Sequence, residues 1–151
     1  MAARTRTGTP VRHPVRTAAR AVGAVFLLIG VLGFVPGITY DLSEITLAGH
    51  RSGAKLFGLF QVSVLHNLVH LAFGVAGLAL ARTVAGARTY LVGGGAIYLV
   101  LWLYGLVVNH DSGANFVPVN NADNWLHLFL GVGMIALGIV LTRGAPGARR
   151  R

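Results

Sequence analysis

The sequence contains no cysteine, which excludes disulfides, thiolate zinc sites, Fe–S clusters and cysteine nucleophiles. Acidic residues are scarce: Asp41, Glu44, Asp111 and Asp123 stand against 13 basic residues, for a net charge of +9. Charged residues of both signs make up 11% of the 151 residues, less than half the roughly 25% of soluble domains. Apolar side chains reach 54%, and glycine adds a further 21 residues. This balance excludes an ordinary soluble enzyme and a disordered chain alike, because so much apolar surface would lack polar cover in water. The composition is that of a membrane protein.

A bilayer core of about 30 Å is crossed by roughly 20 apolar residues of helix. Four stretches satisfy this, over residues 21–39, 56–81, 89–109 and 124–142. They are continuous rather than alternating, which favours helices over barrel strands. The expected fold is therefore all-α, a four-helix transmembrane bundle in a membrane domain of residues 21–142. Five arginines precede the first apolar run as in a signal peptide, but no small-x-small cleavage pattern follows it, so it reads as an uncleaved span.

The basic residues set the expected topology. Arg4, Arg6, Arg12, Arg16 and Arg20 lie in the N-terminal tail, Arg82 and Arg88 flank the middle turn, and Arg143, Arg149, Arg150 and Arg151 close the chain. All eleven fall on one side, while Arg51 and Lys55 are offset by Asp41 and Glu44 on the other. Both termini are expected in the cytoplasm, with residues 1–20 and 143–151 as basic tails without fixed structure, adhering to anionic lipid heads. The tails lack interleaved aromatics, so nucleic acid is not an expected partner. An excess of Arg over Lys with abundant Ala, Gly and Val suggests a GC-rich bacterial genome and hence the cell membrane. A homo-oligomer or another membrane protein remains open as partner.

Residues 67–81 (NLVHLAFGVAGLALA) align without a gap to 124–138 (NWLHLFLGVGMIALG), with seven of fifteen positions identical. A duplicated helical hairpin accounts for this, although helices 1 and 3 show no convincing match. In each copy Asn, His and Gly fall at i, i+3 and i+7 on one helix face: Asn67, His70, Gly74 and Asn124, His127, Gly131. Polar groups are costly against lipid, so both stripes are expected to face inward, each glycine admitting a neighbouring backbone.

Residues 65–70 (LHNLVH), 122–128 (ADNWLHL) and 30–39 (GVLGFVPGIT) resemble the bacterial membrane-protein family of domain of unknown function 4383. The likeness runs from about residue 20 to 142. It implies a small four-helix integral membrane protein from high-GC Gram-positive bacteria, and it implies no activity.

Two chemistries compete for the polar stripes. The leading one is a hydrogen-bonded clasp in which Asn67, His70, Asn124 and His127 satisfy one another across the bundle, in a non-enzymatic structural or partner-binding protein. The alternative is a zinc or haem site on His66, His70 and His127, since His-x-x-x-His places two imidazoles on one face. Asn67 stands where a zinc protease would carry its Glu base, which breaks the hydrolase motif. No cofactor is expected as the first reading. A transporter is less favoured, because the spans hold no acidic residue. Asp123 reads as a helix cap, Trp125 as an interface residue, Gly93–Gly95 as a close-packing site, and residues 115–119 as a loop folding back onto the bundle.

Overall fold

The structure, a computed structural model, describes residues 13–143; most of the two basic tails lies outside the described residues. Within them the chain forms four helices: α1 (Pro14–Leu32), α2 (Val64–Leu80), α3 (Val84–Val107) and α4 (Asn121–Arg143). Three of these are long and apolar enough to cross a membrane, and α2 is a shorter apolar helix. The all-α bundle expected from composition is the fold. Strands β1 (Thr39–Tyr40), β2 (Lys55–Leu56) and β3 (Phe60–Gln61) form a small antiparallel sheet in the α1–α2 connection, which hydropathy alone does not reveal.

The helix ends differ from the hydropathy spans for local reasons. The first span, expected over 21–39, starts at Pro14, whose missing N–H costs nothing in a first turn. Residues 14–20, expected in a tail, are thus helical, and Val15 and Ala19 are buried against Ala81 and Ala87. Arg16 donates from Nε to the Ala81 carbonyl at 3.0 Å, at the C-terminal end of α2, where a cation is favoured. At its other end α1 stops at Gly33, and Thr39, seven residues beyond Leu32, returns to donate its hydroxyl to the Leu32 carbonyl. The second span, expected from residue 56, begins as helix only at Val64. Ser63 caps it, accepting from the His66 N–H at 3.1 Å, while Phe57 and Gly58 take positive φ in the turn between β2 and β3. Helix α3 starts at Val84, ahead of the expected 89–109, and ends at Val107, short of it, while α4 extends slightly beyond the expected 124–142; each starts from a capping residue, Thr83 and Asn120.

Beside an apolar core that includes Phe26, Leu91 and Met134, the bundle buries polar side chains and leaves large apolar ones outside. Asn67, His70, Asn124 and His127 are all buried, while Val107, Phe129, Val100 and Val140 are exposed. Glycine permits the inward polarity by bringing backbones together. A Cβ on Gly23 would lie 3.0 Å from the Gly74 carbonyl oxygen, and one on Gly95 would lie 2.7 Å from the Gly131 oxygen. These contacts bind α1 tightly to α2 and α3 tightly to α4, and the two hairpins meet along a narrower seam.

The paired contacts expose a duplication of the whole hairpin. Gly33 packs on the Asn67 side chain as Gly105 packs on Asn124, and Leu27 packs on Gly74 as Leu99 packs on Gly131. The first helices therefore align at an offset of 72 residues, pairing Arg16 with Arg88, Thr17 with Thr89, Gly23 with Gly95, Ala24 with Ala96, Leu27 with Leu99, Gly33 with Gly105 and Val35 with Val107. The match that α1 and α3 lacked by inspection is supplied by their packing partners. The second helices keep the offset of 57, so the first connection is fifteen residues longer, and the small sheet lies in that longer connection.

Substitution of Gly95 by valine is expected to force α3 from α4 and to destabilise the protein by about 1–3 kcal/mol, as over-packing does. A Cβ at Gly133 meets nothing within 4 Å, so Gly133→Ala should be neutral or stabilising by up to about 1 kcal/mol. Thermal unfolding in detergent checks both; equal losses at the two positions would contradict this packing.

Candidate functional site

The polar stripes converge on the seam, and an aromatic pair stands between them. Phe26 of α1 and Tyr98 of α3, equivalent under the repeat, stack with centroids 5.5 Å apart and planes 8° apart. Phe26 meets the His70 ring edge-on at 5.5 Å, and Tyr98 meets the His127 ring at 5.3 Å. The signal that could have found Tyr98 was present: it is the repeat partner of Phe26 and carries the only polar group of the pair.

Hydrogen bonding fixes the state of His70. Its Nδ1 donates to the His66 carbonyl at 2.9 Å, one turn back, so Nε2 is the acceptor and receives the Tyr98 hydroxyl at 3.5 Å. His66 lies beside it, with ring centroids 4.2 Å apart, and donates from Nδ1 to Asn67 Oδ1 at 3.4 Å. Asn67 in turn donates from Nδ2 to the Gly33 carbonyl at 2.8 Å, the last turn of α1. Each of these partners lies in the first hairpin except Tyr98.

The second hairpin does not repeat this network. Asn124 Oδ1 and His127 Nδ1 are buried without a hydrogen-bond partner. The four-residue clasp expected across the bundle is thus not the arrangement: Asn67 and His70 bond within or beside their own hairpin, and neither reaches Asn124 or His127. An amide on one helix finds the free carbonyl at the end of its tightly packed neighbour before it finds a distant amide.

Tyr98 occupies the space between the His70 and His127 rings, where a haem plane held by two axial imidazoles would lie. Among the described residues no group of three or more His, Cys, Asp or Glu side chains is gathered for a metal ion.

Two crevices open beside the seam. One, of about 200 Å³, lies between α2 and α3; the other, of about 350 Å³, lies between α1 and α4. The repeat that exchanges α1 with α3 and α2 with α4 also exchanges the crevices: Val25, Phe26 and Leu126 line one where Ile97, Tyr98 and Val69 line the other. His66, His70, Tyr98 and His127 line both. Each crevice is otherwise apolar, with a few polar groups converging at one end, as in sites for small apolar-bodied molecules.

The connections roof the crevices. Leu56 and Phe60, from the small sheet, cover the α1–α4 crevice. Val117 and Pro118 cover the α2–α3 crevice, in the segment expected to fold back onto the bundle. Asn115 fixes that segment by bonding at both ends of its amide to Val119. Asp123 is a helix cap as expected: its N–H donates to Asn120 Oδ1 at 2.9 Å and its Oδ2 accepts from the Asn120 N–H at 3.1 Å. The same oxygen also accepts from the Gln61 N–H at 3.1 Å, tying β3 to α4.

Asn67→Leu is expected to cost about 1–3 kcal/mol, because it leaves the Gly33 carbonyl unpaired. Asn124→Leu removes an amide whose oxygen is already unpaired and should cost less than about 1 kcal/mol. Denaturant unfolding of the two variants tests the asymmetry, and equal losses would contradict it.

A family model described as Domain of unknown function (DUF4383) matches residues 16–140. No curated protein and no solved structure matches the chain.

Proposed function

The chain belongs to the DUF4383 family, and on that footing we propose that it is a non-enzymatic, multi-pass binding protein of the cell membrane. It takes small apolar-bodied molecules laterally from the bilayer into the two crevices beside its seam. One observation carries this reading: the buried His127 has an unpartnered Nδ1 and faces both crevices, a polar group left for something other than this chain to satisfy. Binding is favoured over turnover because His70, the other central imidazole, has both nitrogens engaged and nothing to offer a reacting group. Among the described residues, Arg16, Arg20, Arg82, Arg88 and Arg143 lie at the end of the bundle opposite the long connections. This supports cytoplasmic termini and attachment of that end to anionic lipid heads.

The reading predicts that small lipidic molecules co-purify with the full chain and are detected by native mass spectrometry. Leu126→Trp fills the α1–α4 crevice and is expected to reduce their occupancy at least five-fold with helix content unchanged by circular dichroism. A native protein that carries no such molecule, and that fails to bind long-chain alcohols supplied in nanodiscs, would overturn the proposal.

A further inference from the structure

The two crevices differ most at the position where each repeat is most polar. His66 of α2 corresponds to Asp123 of α4, so the α1–α4 crevice carries a carboxylate that the α2–α3 crevice lacks. Asp123 is 3% exposed. Both of its accepted bonds end on Oδ2, and Oδ1 makes no hydrogen bond with a described residue. No cationic side chain reaches it among the described residues. A carboxylate held out of water without a counter-charge is costly, and a cation brought to it is strongly favoured.

The neighbours of Asp123 in this crevice suit a donor. His66 and His127 present imidazoles, and a neutral imidazole offers one ring nitrogen as an acceptor. An ammonium group brings N–H donors and a positive charge and needs no donor in return, which suits a crevice lined by one carboxylate and by imidazoles. A carboxylate or phosphate head would meet Asp123 with like charge. Apart from His70 and Tyr98 the rest of the lining is apolar, with Val22, Val25 and Leu130 among its aliphatic members, and it lies between two helices whose outer faces are apolar.

Resting on the binding role above, we propose that the α1–α4 crevice selects an aliphatic amine, with Asp123 as the counter-ion of its ammonium end and the chain lying between α1 and α4. The α2–α3 crevice, where His66 replaces the carboxylate, does not make this selection. The net charge of +9 attracts anions elsewhere on the chain, so a preference for the amine cannot arise from the overall field of the protein.

The test is equilibrium binding of radiolabelled hexadecylamine, hexadecanoate and hexadecanol, equal in chain length, to the full chain in zwitterionic nanodiscs at pH 7, with empty nanodiscs subtracted. The amine is expected to bind at least ten-fold more tightly than the acid, with the alcohol between them. Asp123→Asn, which keeps one acceptor oxygen for the helix cap, should bring amine and acid to within two-fold of each other. Equal binding of amine and acid by the native protein overturns the selection while leaving the binding role standing, because the alcohol is still held. Failure of all three to bind removes the binding role and this inference together. An Asp123→Asn protein that melts normally and keeps the amine preference overturns the assignment to Asp123. Should that variant not fold, Leu126→Trp takes its place, and undiminished amine binding there overturns the location.

Discussion

Everything in this structure follows from the cost of a polar group in hydrocarbon. In water the four helices would bury their valines and leucines and present asparagine and histidine outward. Here Asn67 is wholly buried, while Phe129 and Val140 are more than half exposed. Burial of apolar surface cannot drive association between helices that are already in an apolar solvent, so close packing and a few interhelical hydrogen bonds must do so. The glycine contacts supply the first: Gly23 against Gly74 and Gly95 against Gly131 bring backbones as near as they come. Asn67 on the Gly33 carbonyl supplies the second.

The same economy explains why the protein is two firm units joined by a weaker seam. Glycine-mediated packing operates within each hairpin, whereas the hairpins meet through larger side chains, Phe26, His70, Tyr98 and His127. Bulky rings meeting face to face and edge to face leave room beside them, and the crevices are that room. Duplication makes the crevices equivalent in origin. Divergence at Phe26/Tyr98 and at His66/Asp123 has then made their polar ends different, and the longer first connection roofs the crevice that holds the carboxylate.

Much of this was legible in the sequence, and the rest was hidden for physical reasons. The helical fold, the inward Asn/His stripes and the glycine below each histidine follow from composition and from a spacing of three and four residues. Hydropathy misplaced the start of α1 because an arginine-rich turn looks like a tail; Pro14 is the signal that it is not. It misplaced the start of α2 because Leu56 and Phe60 are as apolar in a strand as in a helix; Gly58 and Ser63 mark the break. The kinship of α1 and α3 was hidden because its first matching pair, Arg16-Thr17 with Arg88-Thr89, lay outside the expected first span. The partner of Asn67 was not legible, because a backbone carbonyl leaves no trace in the side-chain code. Tyr98 was not singled out, because its kinship with Phe26 shows only once α1 and α3 are aligned through their packing partners.

The most direct test of lipid as the solvent is a nitroxide scan along α4 in liposomes, comparing collision with oxygen, which concentrates in the bilayer, and with a water-soluble nickel complex. The account predicts a helical period, with oxygen accessibility highest at Trp125, Phe129, Val132 and Val140 and lowest at Asn124, His127 and Gly131. Nickel should be excluded from Phe129 to Val140. A flat profile, or nickel reaching Phe129 and Val132 as freely as oxygen does, would contradict it.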